Sequence, residues 1–333
     1  MQRYEHGGNI WAAAKKLNVP ADSLLDLSTC VADEFPPDIL PVLQNYDFIK
    51  ILPEPYSESF SSQYFNKYGG QSLLTSGTTE AISAICRLYS GKKCATLSPT
   101  YSDYEYFAAI NGMNIFFQDS FRPEDTKLTG IKSDIFFICN PNNPTGRLIP
   151  KEIIASAAAE TPETLFIIDE SYMQFVDRPD KYSLEDDAGE NIAVLRSFSK
   201  TFCLPGLRIG YIAGSEKMIK NIKKIISPWN VNTNGQKIAE ILLKLPQLPV
   251  SGLCLDERGE FLKKLSSLPY LTPLPGDTHF FLCRLNGISA PDLCEKLLKQ
   301  GILIRDCSNV RGLGAEYVRI SMRKGWEKIF IAS

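Results

Sequence analysis

The sequence predicts an α/β fold: a mostly parallel sheet of seven strands joined by helical crossovers, followed by a smaller α+β unit. Three observations carry that expectation. From about residue 72, seven short apolar runs alternate with helix-length segments. Several of these runs are apolar at nearly every position, as in Ile135-Phe136-Phe137-Ile138 and Leu165-Phe166-Ile167-Ile168. Strands read this way when both faces of a sheet are covered. After Pro228 the rhythm changes to long helical stretches and then to isolated strand-like runs.

The elements follow in order. A helix-like piece spans 10–17, and a segment interrupted by Pro36, Pro37 and Pro41 follows it. The seven strands are expected at 72–76, 94–97, 114–117, 134–139, 164–169, 192–197 and 208–213. Helices are expected at 234–245 and 255–265, and strands at 279–284, 303–305 and 317–322. A helix over 291–300 has a start signal in Ser289 and Pro291 and a stop signal in Gly301, because proline suits the first helical turn and glycine the residue beyond the last. The expected organisation is an N-terminal arm over 1–40 packing on the smaller unit, a large domain over 41–233 and a small domain over 234–333. The chain shows no repeat and no low-complexity tract.

Composition narrows the function classes. With 333 residues and 44% hydrophobic content the chain can bury a large core. The net charge is −2 and the basic residues are scattered, so the electrostatic footprint that nucleic acid or an anionic membrane requires is not expected. The nine cysteines show no C-x-x-C or similarly tight spacing, which argues against a disulfide framework or a zinc site. The first residues lack an apolar run with a basic flank, and nowhere are there 18 consecutive apolar residues. A cytoplasmic protein without a metal is the expectation.

Four polar signatures fall at predicted strand ends, where open α/β sheets bind ligands. Ser76-Gly77-Thr78-Thr79-Glu80 closes a strand and opens a helix, and free N–H groups and the helix dipole there suit a phosphate. Asn140-Pro141-Asn142-Asn143-Pro144-Thr145-Gly146 is a turn made rigid by prolines. Asp169-Glu170-Ser171-Tyr172 puts a carboxylate at the end of a buried strand, which is costly unless a cation meets it. Ser197-Phe198-Ser199-Lys200 precedes Gly206-Leu207-Arg208 and the last strand. Taken singly, each also fits a helix cap, a turn or a solvated surface charge.

Taken together and in this order, the four resemble the aminotransferase-like family of fold type I enzymes dependent on pyridoxal 5'-phosphate (PLP). The resemblance implies that Lys200 carries the cofactor, that Asp169 partners its ring nitrogen, and that Asn143 and Tyr172 partner the ring 3'-oxygen. It implies that Gly77, Thr78, Ser197 and Arg208 hold the phosphate. Tyr101, in Ser98-Pro99-Thr100-Tyr101, matches the position whose ring stacks on the cofactor. The chemistry agrees, since the cofactor ring accepts an electron pair released at the substrate Cα. A carboxylate beside the ring nitrogen favours the cationic form that does so.

Both ends of the chain narrow the resemblance: His6-Gly7-Gly8-Asn9-Ile10, Ile302-Leu303-Ile304-Arg305-Asp306-Cys307-Ser308-Asn309 and Tyr317-Val318-Arg319-Ile320. With Ser227-Pro228-Trp229-Asn230-Val231-Asn232 they are similar to the L-threonine-O-3-phosphate decarboxylases of cobalamin biosynthesis. The resemblance implies an O-phosphorylated amino acid as substrate, with Arg319 on its carboxylate and Arg305 and His6 on its phosphate, and Asn143 beside it. Arginine suits both anions, having a fixed charge and a planar fork of donors. An ion pair at a surface or domain interface is the plain alternative for Arg305 and Arg319, and a structural role the alternative for His6. The resemblance also implies a homodimer with the partner's residues 50–60 near the cofactor.

The chain departs from that family in two places. Ser28-Thr29-Cys30-Val31-Ala32-Asp33 stands where relatives carry a Ser-Ala-Asn-Ile-Asn-Pro-like run, and it loses asparagines expected beside the substrate. Leu52 stands where a tyrosine normally reaches the neighbouring subunit's cofactor phosphate, with Tyr56 four residues on. Phosphothreonine and phosphoserine differ by one methyl, about 1–3 kcal/mol in a pocket, so either is expected as substrate. A histidinol-phosphate aminotransferase is the competing expectation. A PLP-sensing regulator attached to a DNA-binding module is disfavoured by the length and charge.

Overall fold

The structure is a computed structural model that describes residues 6–121, 128, 130, 132–245 and 257–331. All seven expected strands of the large sheet form. In the chain they follow β1 (Leu25–Asp26), and they are β2 (Gln71–Thr75), β3 (Lys93–Ser98), β4 (Asn114–Asp119), β5 (Ile135–Cys139), β6 (Leu165–Asp169), β7 (Ile192–Ser197) and β8 (Gly210–Gly214). Their order is β2-β8-β7-β6-β5-β3-β4. Only β8 runs against its neighbours, pairing antiparallel with both β2 and β7. The remaining ladders are parallel.

Alternation along these strands feeds two cores. Phe137, Ile167, Leu195 and Ile212 face one way, toward Ala81, Ile82 and Ile85 of α4 (Thr78–Leu88). Phe136, Ile138, Phe166, Ile168 and Val194 face the other, toward Ile154, Ala157 and Ala158 of α6 (Lys151–Glu160). Successive residues of a strand point to opposite faces, so a run of consecutive apolar residues is what a sheet covered on both sides requires.

The smaller unit is a four-stranded antiparallel sheet in the order β12-β13-β10-β9. Its strands are β9 (Leu271–Pro273), β10 (Phe280–Leu285), β12 (Arg305–Asp306) and β13 (Tyr317–Ser321). Around it stand α10 (Arg258–Ser267), α11 (Ala290–Leu298) and α12 (Lys328–Ile331). The side chain of Ser289 accepts from Asp292 N to cap α11, with Pro291 in its first turn. Of the helix expected at 255–265, residues 255 and 256 lie outside the described residues.

The single strand expected at 303–305 is two. β11 (Ile302–Leu303) pairs in parallel with β1, while β12 pairs antiparallel with β13. The break at Ile304 hands the chain from one sheet to another, and it sets Arg305 directly opposite Arg319. The β1–β11 ladder joins the N-terminal segment to the smaller unit. α1 (Ile10–Leu17) forms as expected, capped by the Asn9 side chain.

A second difference concerns α9 (Thr233–Lys244), which the sequence reading put in the small domain. Its residues Ile238, Ala239, Leu242 and Leu243 share one buried cluster with Phe60, Leu74, Phe198 and Tyr211. The apolar face of α9 is therefore spent on the large sheet and on α3 (Glu58–Tyr68), and the expected boundary at 233 cuts through this packing. α2 (Leu40–Leu43) adds Val42 to the same cluster. No helix among the described residues is long and apolar enough to cross a membrane.

Candidate active site

At the carboxyl ends of β2, β3, β5, β6 and β7 lies a cavity of about 280 Å³, closed on its other side by the N-terminal arm, β12 and β13. Every residue that the sequence reading assigned to the site lines it: Gly77, Thr78, Tyr101, Asn143, Asp169, Tyr172, Ser197, Lys200, Arg208, His6, Arg305 and Arg319. Small-molecule sites are usually single concave pockets of roughly 300–1,000 Å³ with a few convergent polar groups.

One end of the cavity suits a phosphate. Gly77 is the N-cap of α4, has φ +72° and offers no capping side chain, which leaves N–H groups of the first turn to meet an anion. A Cβ at Gly77 would stand 2.7 Å from Arg208 Nη2, so the glycine is what lets the guanidinium close over the helix start. Ser197 and Ser199 line the same end. Ser199 Oγ donates to Ile209 O at 3.1 Å, which ties the Lys200 segment to the strand after Arg208.

The opposite end of this half is set by Asp169. Its carboxylate is 3% exposed and accepts from Tyr104 OH at 2.7 Å, from Ser171 Oγ at 2.5 Å and from Ser171 N at 3.0 Å. Burial raises its pKa above the ordinary 3.8, while the Ser171 and Tyr104 hydrogen bonds pull it back. A buried carboxylate at the end of an open cavity fits a cationic ring nitrogen, whose charge would offset that burial. Lys200 sits on α7 (Phe198–Thr201), the short helix that follows β7. Burial lowers its pKa from the ordinary 10.5, and the Arg319 and Arg208 charges lower it further. The shift favours the neutral, nucleophilic amine.

The turn after β5 is braced from within. Asn142 accepts from Thr100 Oγ1 at 2.7 Å and donates to Pro99 O at 2.9 Å. Asn143 is thereby presented to the cavity, donating to Tyr172 OH at 3.3 Å. Burial raises the Tyr172 and Tyr101 hydroxyls well above the ordinary 10.0. These phenols remain protonated donors throughout the neutral range.

The second half of the cavity carries the arginines. Arg305 and Arg319 are cross-strand partners, and like charges placed directly opposite are destabilising unless something neutralises them. Here their hydrogen-bond partners are neutral. Arg319 donates to Asn143 Oδ1 and to Ser28 O, and Arg305 donates to Asn309 Oδ1 at 2.8 Å. Arg319 is 6% exposed and its buried Nε has no hydrogen-bond partner among the described residues. Burial and the Arg319 charge lower the pKa of Arg305 from its ordinary value, with Cys307 and Asp306 opposing.

His6 reaches the cavity from the arm, with Nε2 2.9 Å from Asp103 Oδ1 and its ring 5.3 Å from that of Tyr101. Tyr101 OH donates to the other oxygen of Asp103 at 2.9 Å. Sequence reasoning missed Asp103, Tyr104, Ser171 and Ser199, all of which hold an assigned residue in place. Ser171 and Ser199 stand inside the motifs without a role of their own, Asp103 and Tyr104 follow Tyr101 by two and three residues, and no spacing rule separates them from ordinary helix or turn positions.

The two departures have different fates. Cys30 lines the cavity, 2% exposed, with Sγ 3.4 Å from Ser321 Oγ. A thiol therefore faces the site where relatives are expected to present an amide. Leu52 is 69% exposed, whereas Tyr56 is half-buried with Lys223 Nζ 5.3 Å from its ring centroid. Neither lines this cavity.

Comparison with known proteins agrees with the geometry. The model of the family "Aminotransferase class I and II" matches residues 42–327. The threonine-phosphate decarboxylase of Salmonella typhimurium is 29% identical over 96% of this chain and 92% of its own. A histidinol-phosphate aminotransferase of Methanococcus maripaludis is 32% identical over 74% of this chain and 70% of its own. The crystal structure of the histidinol-phosphate aminotransferase from Clostridium acetobutylicum superposes with a TM-score of 0.84 at 26% identity, covering 93% of this chain and 98% of that one. The chain belongs to the aminotransferase class I and II family and is a PLP-dependent enzyme of that family.

Proposed function

We propose that the chain decarboxylates an O-phosphorylated amino acid, O-phospho-L-threonine or O-phospho-L-serine, releasing aminopropanol phosphate or ethanolamine phosphate for the nucleotide loop of a cobamide. One observation carries the reading: Arg305 and Arg319 stand in direct register on the cavity wall with only neutral hydrogen-bond partners. Two adjacent cations with no carboxylate hydrogen-bonded to either call for a ligand with two anionic groups, although Asp26 and Asp306 lie close enough to act on their charges; a phospho-amino acid brings a carboxylate and a phosphate. The similarity to the Salmonella decarboxylase also extends over 96% of this chain.

In this reading Lys200 carries the cofactor, Asp169 holds its ring nitrogen protonated, and Tyr101 covers its ring. Asn143 and Tyr172 meet the 3'-oxygen, and the α4 start with Ser197 and Arg208 takes the phosphate. When bound, the cofactor supplies an acceptor for the electron pair left at Cα. Which bond at Cα is placed to break would be decided by the residues that hold the substrate's two anionic groups. Arg319 grips the substrate carboxylate, and Arg305 with His6 grips the remote phosphate. Remote contacts of this kind turn binding energy into orientation. Lys200, whose side chain lines the cavity, would hold the proton that Cα takes up after CO2 leaves. Two copies of the chain share the work in a homodimer, consistent with the exposed Ile51 and Leu52 inside the expected contact region and Ile49 beside it.

The second reading is a histidinol-phosphate aminotransferase, favoured by the 0.84 TM-score to such an enzyme. Purified, PLP-loaded protein is offered phosphothreonine, phosphoserine, and histidinol phosphate with 2-oxoglutarate, following CO2 and glutamate. CO2 without an oxo-acid supports the decarboxylase; glutamate without CO2 overturns it.

A further inference from the structure

Behind the strand ends that carry Asp169 and Ser197 lies a buried ion cluster to which the reading above gives no part. Glu170 N donates to Leu195 O at 2.9 Å, extending the β6–β7 ladder one residue past the Asp169–Leu195 pair. Glu170 and Arg196 are thus neighbours on the face opposite Asp169 and Ser197. Arg196 Nη2 lies 3.1 Å from Glu170 Oε2 and 3.0 Å from Glu185 Oε2, and it donates to Ser183 Oγ at 2.9 Å. Ser183 Oγ in turn donates to Glu170 Oε2 at 2.8 Å, Leu184 N donates to Glu170 Oε1 at 2.7 Å, and Tyr211 OH donates to Glu185. Glu170, Glu185, Arg196 and Tyr211 are all 5% exposed or less.

Buried ion clusters of this kind lose so much hydration that apolar residues of equal volume often stabilise a fold as well or better. Stability alone is a weak account of two acids and an arginine at this place. Their position is informative instead. Glu170 is bonded to Asp169 and Arg196 to Ser197, so one ion pair spans the two backbones that present the ring-nitrogen end and the phosphate end of the site. Gly210, paired with Ser197, has no room for a side chain: a Cβ there would stand 2.7 Å from Arg196 O and 3.1 Å from Thr78 N. The phosphate-binding start of α4 is packed against the same strand ends.

We propose that Glu170 and Arg196 are positioning residues for the cofactor, the ion cluster on the back of the sheet fixing the separation between Asp169 and Ser197. The inference rests on the family assignment and holds whether the reaction is decarboxylation or transamination.

The test uses the full chain with Arg196→Met, Arg196→Lys and Glu170→Gln. Three quantities are read: PLP affinity after dialysis, the pH midpoint of the cofactor's visible absorption band, and the melting temperature of the PLP-free protein. The expected result is about tenfold weaker PLP binding for Arg196→Met, partial recovery in Arg196→Lys, and a midpoint moved by about half a unit in Glu170→Gln. A cluster that only holds the fold together would lower the melting temperature and leave PLP affinity and midpoint at wild-type values. That result would overturn the proposal. Should Arg196→Met fail to fold, Glu170→Gln keeps the side-chain shape and decides by its midpoint.

Discussion

The cavity has two unlike walls. The large-sheet wall presents Asp169, Ser197 and Lys200 from strand ends and the helix turns that follow them, none more than three residues from a ladder pair. The other wall presents Arg305, Arg319 and His6 on long side chains from two short strands and an arm. The first wall has its local hydrogen bonds completed by Tyr104, Ser171 and Ser199. The second leaves two cations facing the cavity. If the sheet wall holds the cofactor and the other wall the substrate, as proposed, substitutions in the two walls should have separable effects.

The largest effects should fall on the first wall. Lys200→Ala is expected to lose the cofactor's visible band and about a thousandfold or more in turnover, read by absorbance and CO2 release. In the wild type, the pH midpoint of PLP incorporation should lie below the ordinary lysine value, since burial lowers the Lys200 pKa. A midpoint at the ordinary lysine value would contradict the buried setting.

On the second wall, Arg305→Met and Arg319→Met should each weaken kcat/KM for the phospho-amino acid by about ten- to a hundredfold, roughly the 1.5–3 kcal/mol of a charged hydrogen bond. In Arg305→Met, PLP affinity should stay within about twofold of wild type, a split that titration with free PLP measures. Parallel losses of both would break the comparison.

A smaller effect should appear in stability. Burial pushes the Glu170 carboxyl up to about 7 from an ordinary 4.5. A raised acid keeps its proton in the fold while the unfolded chain releases it, so stability is greatest below the ordinary value. It then falls as pH rises toward 7, by up to a few kcal/mol. Urea unfolding of the PLP-free protein should show that decline between about pH 5 and pH 7, and Glu170→Gln should flatten it.

Much of this was legible in the sequence for physical reasons. Strands covered on both faces are apolar nearly throughout, which made β5 and β6 readable together with their ends, while the exposed edge strand β4 was readable only from its short apolar run at 115–117. Ligand chemistry gathers at those ends, which singled out the motifs of the first wall, whereas the role of each residue, and Arg305, Arg319 and His6 altogether, followed from the resemblance to a known family. Less legible was what depends on distant contacts. Ile304, where one strand splits between two sheets, has no composition signal, and α9 looks alike whichever unit its apolar face meets. Asp103 and Tyr104 hold their partners through side chains whose rotamers no spacing rule gives.

The smallest expected effect concerns Cys30. Restoring an amide with Cys30→Asn should change the phosphoserine to phosphothreonine preference by less than about a hundredfold, since a methyl is worth only about 1–3 kcal/mol. Competition between the two substrates measures it, and an unchanged ratio would remove Cys30 from the specificity wall.

The central claim is that the second wall directs the cofactor to decarboxylation, and the most direct test is CO2 release from O-phospho-L-threonine or O-phospho-L-serine by the PLP-loaded protein with no oxo-acid present. The account predicts one CO2 and one phosphorylated amine for each substrate consumed. Glutamate formed from histidinol phosphate and 2-oxoglutarate in the reverse direction of amino transfer is not required for it, but amino transfer between histidinol phosphate and 2-oxoglutarate with no CO2 from either phospho-amino acid would contradict it.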